Sequence, residues 1–215
     1  MVFVSDASDI PVVLPADSNG LTDAYLVTVR KNPFSAASAK GVSINSAGTG
    51  FGNGRSTRAS ISADGRFVAF ASEASNLIAA GTDTNGFSDI FVRGDMIGPT
   101  PSTSRVSVSS AGSESSGASL SPSISQDGRW VSFQSEASSL VPGDTNAATD
   151  VFVHDRTLGA TERVSVSLFG EQSDSDSFDP SLSADGRTVT FFSSSTNLVP
   201  PPPVLFFQHV YRRRL

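Results

Sequence analysis

The sequence repeats itself, and the length of the repeat limits what the chain can build. SADGRFVAF (Ser62–Phe70), SQDGRWVSF (Ser125–Phe133) and SADGRTVTF (Ser183–Phe191) align without gaps. Their Asp-Gly pairs start at Asp64, Asp127 and Asp185, so the spacings are 63 and 58 residues. A second block follows the first two copies, as DTNGFSDIFV (Asp83–Val92) and DTNAATDVFV (Asp144–Val153). An earlier copy, DSNGLTDAYL, stands at Asp17–Leu26. The third block reads KGVSINSAG (Lys40–Gly48), SRVSVSSAG (Ser104–Gly112) and ERVSVSLFG (Glu162–Gly170). A repeat of this length is one supersecondary unit that buries its apolar faces against its neighbours.

Each unit holds four strand candidates, a to d. Strand a is the short SISA or SLSA segment before Asp-Gly. Strand b is RFVAFAS, RWVSFQS or RTVTFFS, apolar on alternate residues of both faces, which predicts cover on both sides. Strand c is DIFV or DVFV. Strand d is RVSVS, with Val106 and Val108 on one face and Ser107 on the other. The Asp-Gly pair joins a to b as a tight hairpin, because Gly takes the positive φ such turns require.

Four antiparallel strands recurring about every 60 residues predict propeller blades. The expected fold class is therefore all-β, a β-propeller of four-stranded antiparallel blades with about three blades present and the ring incomplete or open. The ordered series S-x-D-G-R-x-V-x-F, S-x-A-S-x-L, GDTN, DVFV, RVSVS resembles the TolB-like, WD-repeat-like propeller repeat of bacterial envelope and secreted proteins. The resemblance covers nearly all of residues 1–199. It implies a non-enzymatic interaction module that binds a protein or a surface polymer in the periplasm or outside the cell. Related propellers also serve hydrolases or carry a polysaccharide lyase site, so the propeller domain of such an enzyme is the alternative.

Both ends depart from the pattern. Phe3 aligns with Phe70, so the chain begins inside a strand b. Asn197-Leu198-Val199 leads toward a further GDTN, but Pro200–Pro203 stand in its place. The units are then a partial blade at 1–57, blades at 58–117 and 118–178, a partial blade at 179–199, and an atypical Pro-rich and apolar tail at 200–215. The strand count is 13, from b-c-d, a-b-c-d, a-b-c-d and a-b. Such a chain is expected to be a fragment of a longer protein or a truncated product, able to self-associate through its open blade edges. Val204–Tyr211 (VLFFQHVY) is apolar and strand-prone, and reads as a terminus packing on the open edge, with an interface strand as the alternative.

The net charge of −6 and pI near 4.8 leave no basic face for phosphates, so no nucleic-acid partner is expected. The basic run Arg212-Arg213-Arg214 reads as a solvated tail. No cysteine is present, which removes disulfide and thiolate chemistry. No stretch approaches the 18 or so apolar residues of a membrane span. The first ten residues lack a basic n-region and break their apolar run at Ser5 and Asp6, so no signal peptide is expected there.

The best site candidates are the loops before strand c: Asp83, Asn85 and Asp89, then Asp144, Asn146 and Asp150, with Asp17, Asn19 and Asp23 as the first copy. Oxygens at this density could hold Ca²⁺. Gly86 stands fourth rather than sixth and no Glu follows, so self-bonded Asx-turns are the favoured reading. Calcium is the only cofactor considered, and a calcium-stabilised repeat array is a further functional alternative. Asp64, Asp127 and Asp185 are expected to be turn residues. Arg66, Arg129 and Arg187 are expected to pair with a nearby Asp or stay solvated, with a ring of anion donors as the alternative. GTGFGNG (Gly48–Gly54) aligns with the connections between blades, and no helix follows to make it a phosphate loop. His154 takes the place of Arg93 and reads as a surface residue, far in sequence from His209. With no G-x-S-x-G elbow either, no catalytic set is predicted. Trp130 matches Phe67 and is expected to pack between blades.

Overall fold

A computed structural model describes residues 1–7, 10, 15–28, 38–98, 100–200 and 208–215. The described residues form 14 strands and no helix. The first sheet holds β1 (Val2–Ser5), β2 (Asp23–Thr28) and β3 (Ser38–Gly41) in that order. The second holds β4 (Ser56–Ile61), β5 (Val68–Ser72), β6 (Asp89–Gly94) and β7 (Ser102–Arg105). The third repeats it with β8 (Ser119–Ile124), β9 (Trp130–Ser135), β10 (Asp150–Asp155) and β11 (Ala160–Arg163). The fourth holds β12 (Ser177–Leu182), β13 (Thr188–Ser193) and β14 (His209–Arg214). Every pairing is antiparallel between sequence neighbours. The fold is an incomplete β-propeller of three to four blades.

The register confirms the alignment of the repeats. Phe70 pairs with Phe91, Phe133 with Phe152, Phe3 with Tyr25 and Phe191 with Tyr211. These aromatic pairs lie 5.5–5.9 Å apart between ring centres; in the second, third and fourth sheets the pair fills the face turned toward the preceding sheet, and in the first it packs with Ile44 and Phe51. The opposite face carries smaller residues. Ala69, Ala71, Ile90 and Val92 of the second sheet therefore pack on Phe133, Phe152 and Leu140 of the third. Ala24 and Leu26 meet Phe70 and Phe91 in the same way, and Val151 and Val153 meet Phe191 and Leu198. Large on small gives interdigitated layers, so strands b and c are buried on both faces as expected.

Three expectations are corrected. Strand a begins four residues upstream of the predicted SISA or SLSA in each sheet, at Ser56, Ser119 and Ser177. It contains a bulge at Arg58, Ser121 and Asp179, whose φ values are 43°, 54° and 47°. Pro122 and Pro180 follow two of these residues, where a bulge spares the ladder the missing N–H. Strand d ends at Arg105 and Arg163, where it was predicted to begin. Val106 and Val164 still donate their N–H to the Ile90 and Val151 carbonyls, and the backbone ladder stops beyond them because Ser107 and Ser165 accept the N–H of Ile90 and Val151 on their hydroxyls. Finally, Arg212–Arg214 are not a tail. They belong to β14, which pairs with β13 over six residues and fills the place of strand c. The strand count is 14 rather than 13 among the described residues. Val204–Phe207 lie outside the described residues.

Candidate functional site

The loops before strand c fold around an internal cation. Asn85 accepts the N–H of Phe87 and donates to Asp89 at 2.9 Å, the expected self-bonded loop. Asp89 is fully buried and receives the hydroxyls of Ser107 and Ser115. The guanidinium of Arg105 then enters between the carboxylates, 3.4 Å from Asp83, 3.3 Å from Asp89 and 2.9 Å from Glu114. In the next sheet Arg163 stands 3.1 Å from Asp144 and 3.2 Å from Asp150, with Gln172 in the place of Glu114. Asn146 donates to Asp150 as Asn85 does to Asp89. Burial, with the nearby Asp89 charge, pushes Asp83 up to about 6 despite the arginine. Asp144 is raised for the same reason. Glu114 is held below its ordinary value by the Thr84 side chain and backbone and by Arg105.

This donor set does not fit Ca²⁺. The cation wants six to eight oxygens, while the inward oxygens here already face serine hydroxyls, an Asn amide and a guanidinium. Among the described residues no group of three His, Cys, Asp or Glu side chains is arranged to hold a metal ion.

The first copy of the loop reaches a different solution. The residue matching Arg105 is Gly41, which pairs with Tyr25 as Arg105 pairs with Phe91. Ile44 and Phe51 fill the space, and a Cβ on Gly41 would lie 2.5 Å from Ile44 and 2.8 Å from Phe51. Tyr25, in the place of Phe91, donates its hydroxyl to Asp17. Asp23 keeps its bonds from Ser43 and Asn19 but pairs with no arginine among the described residues. Burial pushes it up to about 6.

At the other end of the sheets the a–b hairpins converge. Each Asp-Gly turn is self-bonded: Ser62 donates to Asp64 at 2.6 Å, and Asp64 accepts the N–H of Arg66. The same bonds recur at Ser125–Asp127 and Ser183–Asp185. They lower the pKa of all three carboxylates, which stay ionised. The hairpins are tied to one another by backbone bonds, from Ala63 N–H to Gln126 and from Gln126 N–H to Ala184. Phe67 packs beneath Gly128 of the next hairpin, and Trp130 beneath Gly186 of the one after. Trp130 thus packs between blades as expected. The result is an open cleft of ≈ 510 Å³ lined by Ala63, Asp64, Gln126, Asp127, Ala184 and Asp185.

Two of the three arginines after these turns pair with the next hairpin of their own sheet, and Arg187 makes no ion pair among the described residues. Arg66 lies 3.7 Å from Asp95, and Arg129 grips Asp155 through Nε and Nη2. His154 is a correction. It is buried rather than exposed, and its Nδ1 meets the Thr161 hydroxyl at 2.9 Å. Thr161 in turn donates to the Val108 carbonyl, so this pair fixes one blade against the next. Arg105, Arg163 and Glu114 were missed as site residues. Their signal was present, because an arginine opens RVSVS in the two units that carry DTN, and a glycine stands there in the unit that carries DSN.

No family model matches the chain, and no curated protein matches it by sequence. Solved structures do match. A putative TolB from Agrobacterium tumefaciens is similar over 91% of this chain and 54% of its own, at 18% identity and a TM-score of 0.51. The fold is that of a TolB-like propeller. TolB from Acinetobacter baumannii matches over 89% of this chain and 35% of its own, at 12% identity and a TM-score of 0.47. The tricorn protease matches over 91% of this chain and 15% of its own, at 13% identity and a TM-score of 0.48. The chain thus spans about half the length of the first of these structures and less of the others. Among the described residues no helix is long and apolar enough to cross a membrane.

Proposed function

We propose that this TolB-like arc is a non-enzymatic interaction module that binds a protein partner in the periplasm or outside the cell. The observation that carries the reading is the convergence of three hairpins on one cleft. Residues 63 and 58 positions apart in sequence line it together, fixed by backbone bonds and by Phe67 and Trp130 beneath. A rigid rim of this kind is what a binding surface needs, since little order has to be created on association. The rim carries ionised Asp64, Asp127 and Asp185 on a chain of net charge −6, which favours a cationic segment over an acidic polymer. The one His–hydroxyl pair among the described residues, His154 with Thr161, is buried and committed to the Val108 carbonyl, which fits an architectural role.

A hexalysine peptide is a suitable probe in calorimetry at low and high salt. The Asp64→Asn, Asp127→Asn, Asp185→Asn triple variant should bind it at least about tenfold more weakly, a loss of about 1.4 kcal/mol. A control triple of equal charge change, Glu73→Gln, Glu136→Gln, Glu171→Gln, should bind nearly as the wild type. Equal loss in both triples would show only a general attraction between charges and would end this reading.

A further inference from the structure

The contact between the first and second sheets differs from the one between the second and third, and the difference is a cavity around an arginine. Arg93 of β6 and His154 of β10 occupy the same position, each opposite a threonine of strand d, Thr103 or Thr161. Ser46 and Ser110 also match, in the turn that follows strand d of the preceding sheet. Around His154 the groups are tied together. Its Nδ1 meets the Thr161 hydroxyl, Thr161 donates to the Val108 carbonyl, and Ser110 bonds the N–H and C=O of Thr161. Around Arg93 the preceding turn stands off. Ser46 gives its N–H to the Asn76 carbonyl, and among the described residues the Thr103 hydroxyl meets only Arg93 Nη1, at 2.9 Å. The space left is a cavity of ≈ 340 Å³, at the small end of ligand pockets.

Arg93 lines this cavity without a counter-charge. It makes no ion pair among the described residues, and its Nε is buried with no hydrogen-bond partner. Burial holds the guanidinium below its ordinary value, with no carboxylate acting against it. Nε is also unbonded in Arg105 and Arg163, but those side chains face three and two carboxylates. Arg156 is half-buried too, yet it donates to the Gly128 carbonyl and lies over the Phe67 ring, 4.7 Å from its centre. Arg93 has none of these partners. A guanidinium keeps its proton at any ordinary pH, so its desolvation has to be met by an acceptor. The cavity walls are of two kinds. Asn45, Ser46 and Thr103 bring polar groups, and Leu77 and Ile78 bring apolar ones.

We propose that this cavity binds a small monoanionic carboxylate, its charged end on the Arg93 guanidinium and its organic end against Leu77 and Ile78. The planar fork of an arginine matches a carboxylate. One cation on a chain of net charge −6 favours a single negative charge over a phosphate dianion. The apolar wall would give an inorganic anion nothing to bury. The cavity shares no residue with the hairpin cleft, so the two sites stand or fall separately.

The probe is butyrate, titrated into the intact chain against sodium chloride of equal ionic strength and followed by two-dimensional NMR of the backbone amides. Saturable shifts are expected at Ser46, Arg93 and Thr103, with a midpoint in the millimolar range. Butyramide, which has the same shape without the charge, should bind at least about tenfold more weakly, and so should phosphate. Arg93→Gln should keep the wild-type far-ultraviolet circular dichroism and lose the saturable shifts. Arg93→Lys, which keeps the charge without the fork, should bind more weakly than the wild type and more tightly than Arg93→Gln. Butyrate should raise the Tm of the wild type and leave that of Arg93→Gln unchanged. No saturable shift in the wild type, equal binding of butyrate and butyramide, or butyrate binding to Arg93→Gln at wild-type affinity would overturn the proposal. Phosphate binding as tight as that of butyrate would overturn the assignment to a carboxylate.

Discussion

Serine carries much of the internal structure at the scale of single residues. Ser56 and Ser72, Ser119 and Ser135, and Ser177 and Ser193 form buried hydroxyl pairs across strands a and b, 2.9–3.0 Å apart. Ser43, Ser107 and Ser165 each take a strand N–H and give a proton to a buried carboxylate. A low charge content is therefore no sign of a weakly ordered chain, because the polarity is spent inside. The carboxylates these serines serve lead to a contrast between sheets. Asp89 shares its site with Arg105, whose side chain is 8% exposed, so Arg105→Gln leaves buried negative charge and should cost about 3 kcal/mol in urea melts. Because the guanidinium already stands between the carboxylates, millimolar Ca²⁺ or chelator should leave the wild-type Tm unchanged. Asp23 pairs with no arginine among the described residues and burial raises its pKa to about 6, so the folded state binds its proton more tightly than the unfolded state does. That contribution is full below about pH 4 and is lost as pH rises to about 6. Asp23→Asn should therefore flatten the fall in stability between pH 4 and 7, and gain at least about 1 kcal/mol relative to wild type over that range. An unchanged pH profile in the variant would contradict the assignment.

Among the elements, the a–b hairpins offer a controlled comparison. Gly65 and Gly128 occupy the same turn position, each with φ of 73°. A Cβ on Gly65 meets nothing within 4 Å, whereas one on Gly128 would lie 2.2 Å from the Phe67 ring. Gly65→Ala should cost only the backbone strain of a left-handed residue, about 1 kcal/mol. Gly128→Ala should cost at least about 2 kcal/mol more, because Phe67 must leave its place between the blades. Trimming Phe67 to Leu in the Gly128→Ala background should recover part of the loss. These hairpins were legible in the sequence because Asp-Gly fixes a turn locally and the block repeats. The bulges in strand a were harder to see. Their mark is a proline inside a strand, at Pro122 and Pro180, but the second sheet has Ala59 there and makes the same bulge without it. The end of strand d was set too late, because RVSVS alternates like a strand while its serines bond across the ladder instead. The Arg105 cluster was only half legible. Spacing placed Asp83, Asn85 and Asp89 together, but their cation comes from another strand, which only the pairing of β6 with β7 brings into reach.

Over the whole molecule, stability should follow the order of the sheets. Each sheet packs its core on its neighbours through an aromatic face and a small-residue face, and one exposed ion pair, Arg58 with Asp179, reaches from the second sheet to the fourth. Such a stack behaves as a row of coupled units, in which the ends can open while the middle holds. The two ends differ. At the first sheet Tyr25, Ile44 and Phe51 are buried with Phe3 and Ile10, so that face is closed by its own chain. At the last sheet Phe192 is 41% exposed and, among the described residues, stacks on Phe178. The fourth sheet should therefore be the first to open. Hydrogen exchange under native conditions would show this as lower protection for the amides of β13 and β14 than for those of β5, β6, β9 and β10. Tyr211→Ala, which removes the ring packed on Phe191, should lower protection in the fourth sheet and leave the second nearly unchanged. Phe133→Ala lies in the cluster shared by the second and third sheets, should cost about 3 kcal/mol, and should lower protection in both. Uniform loss of protection in response to Tyr211→Ala would mean that the four sheets open as one unit.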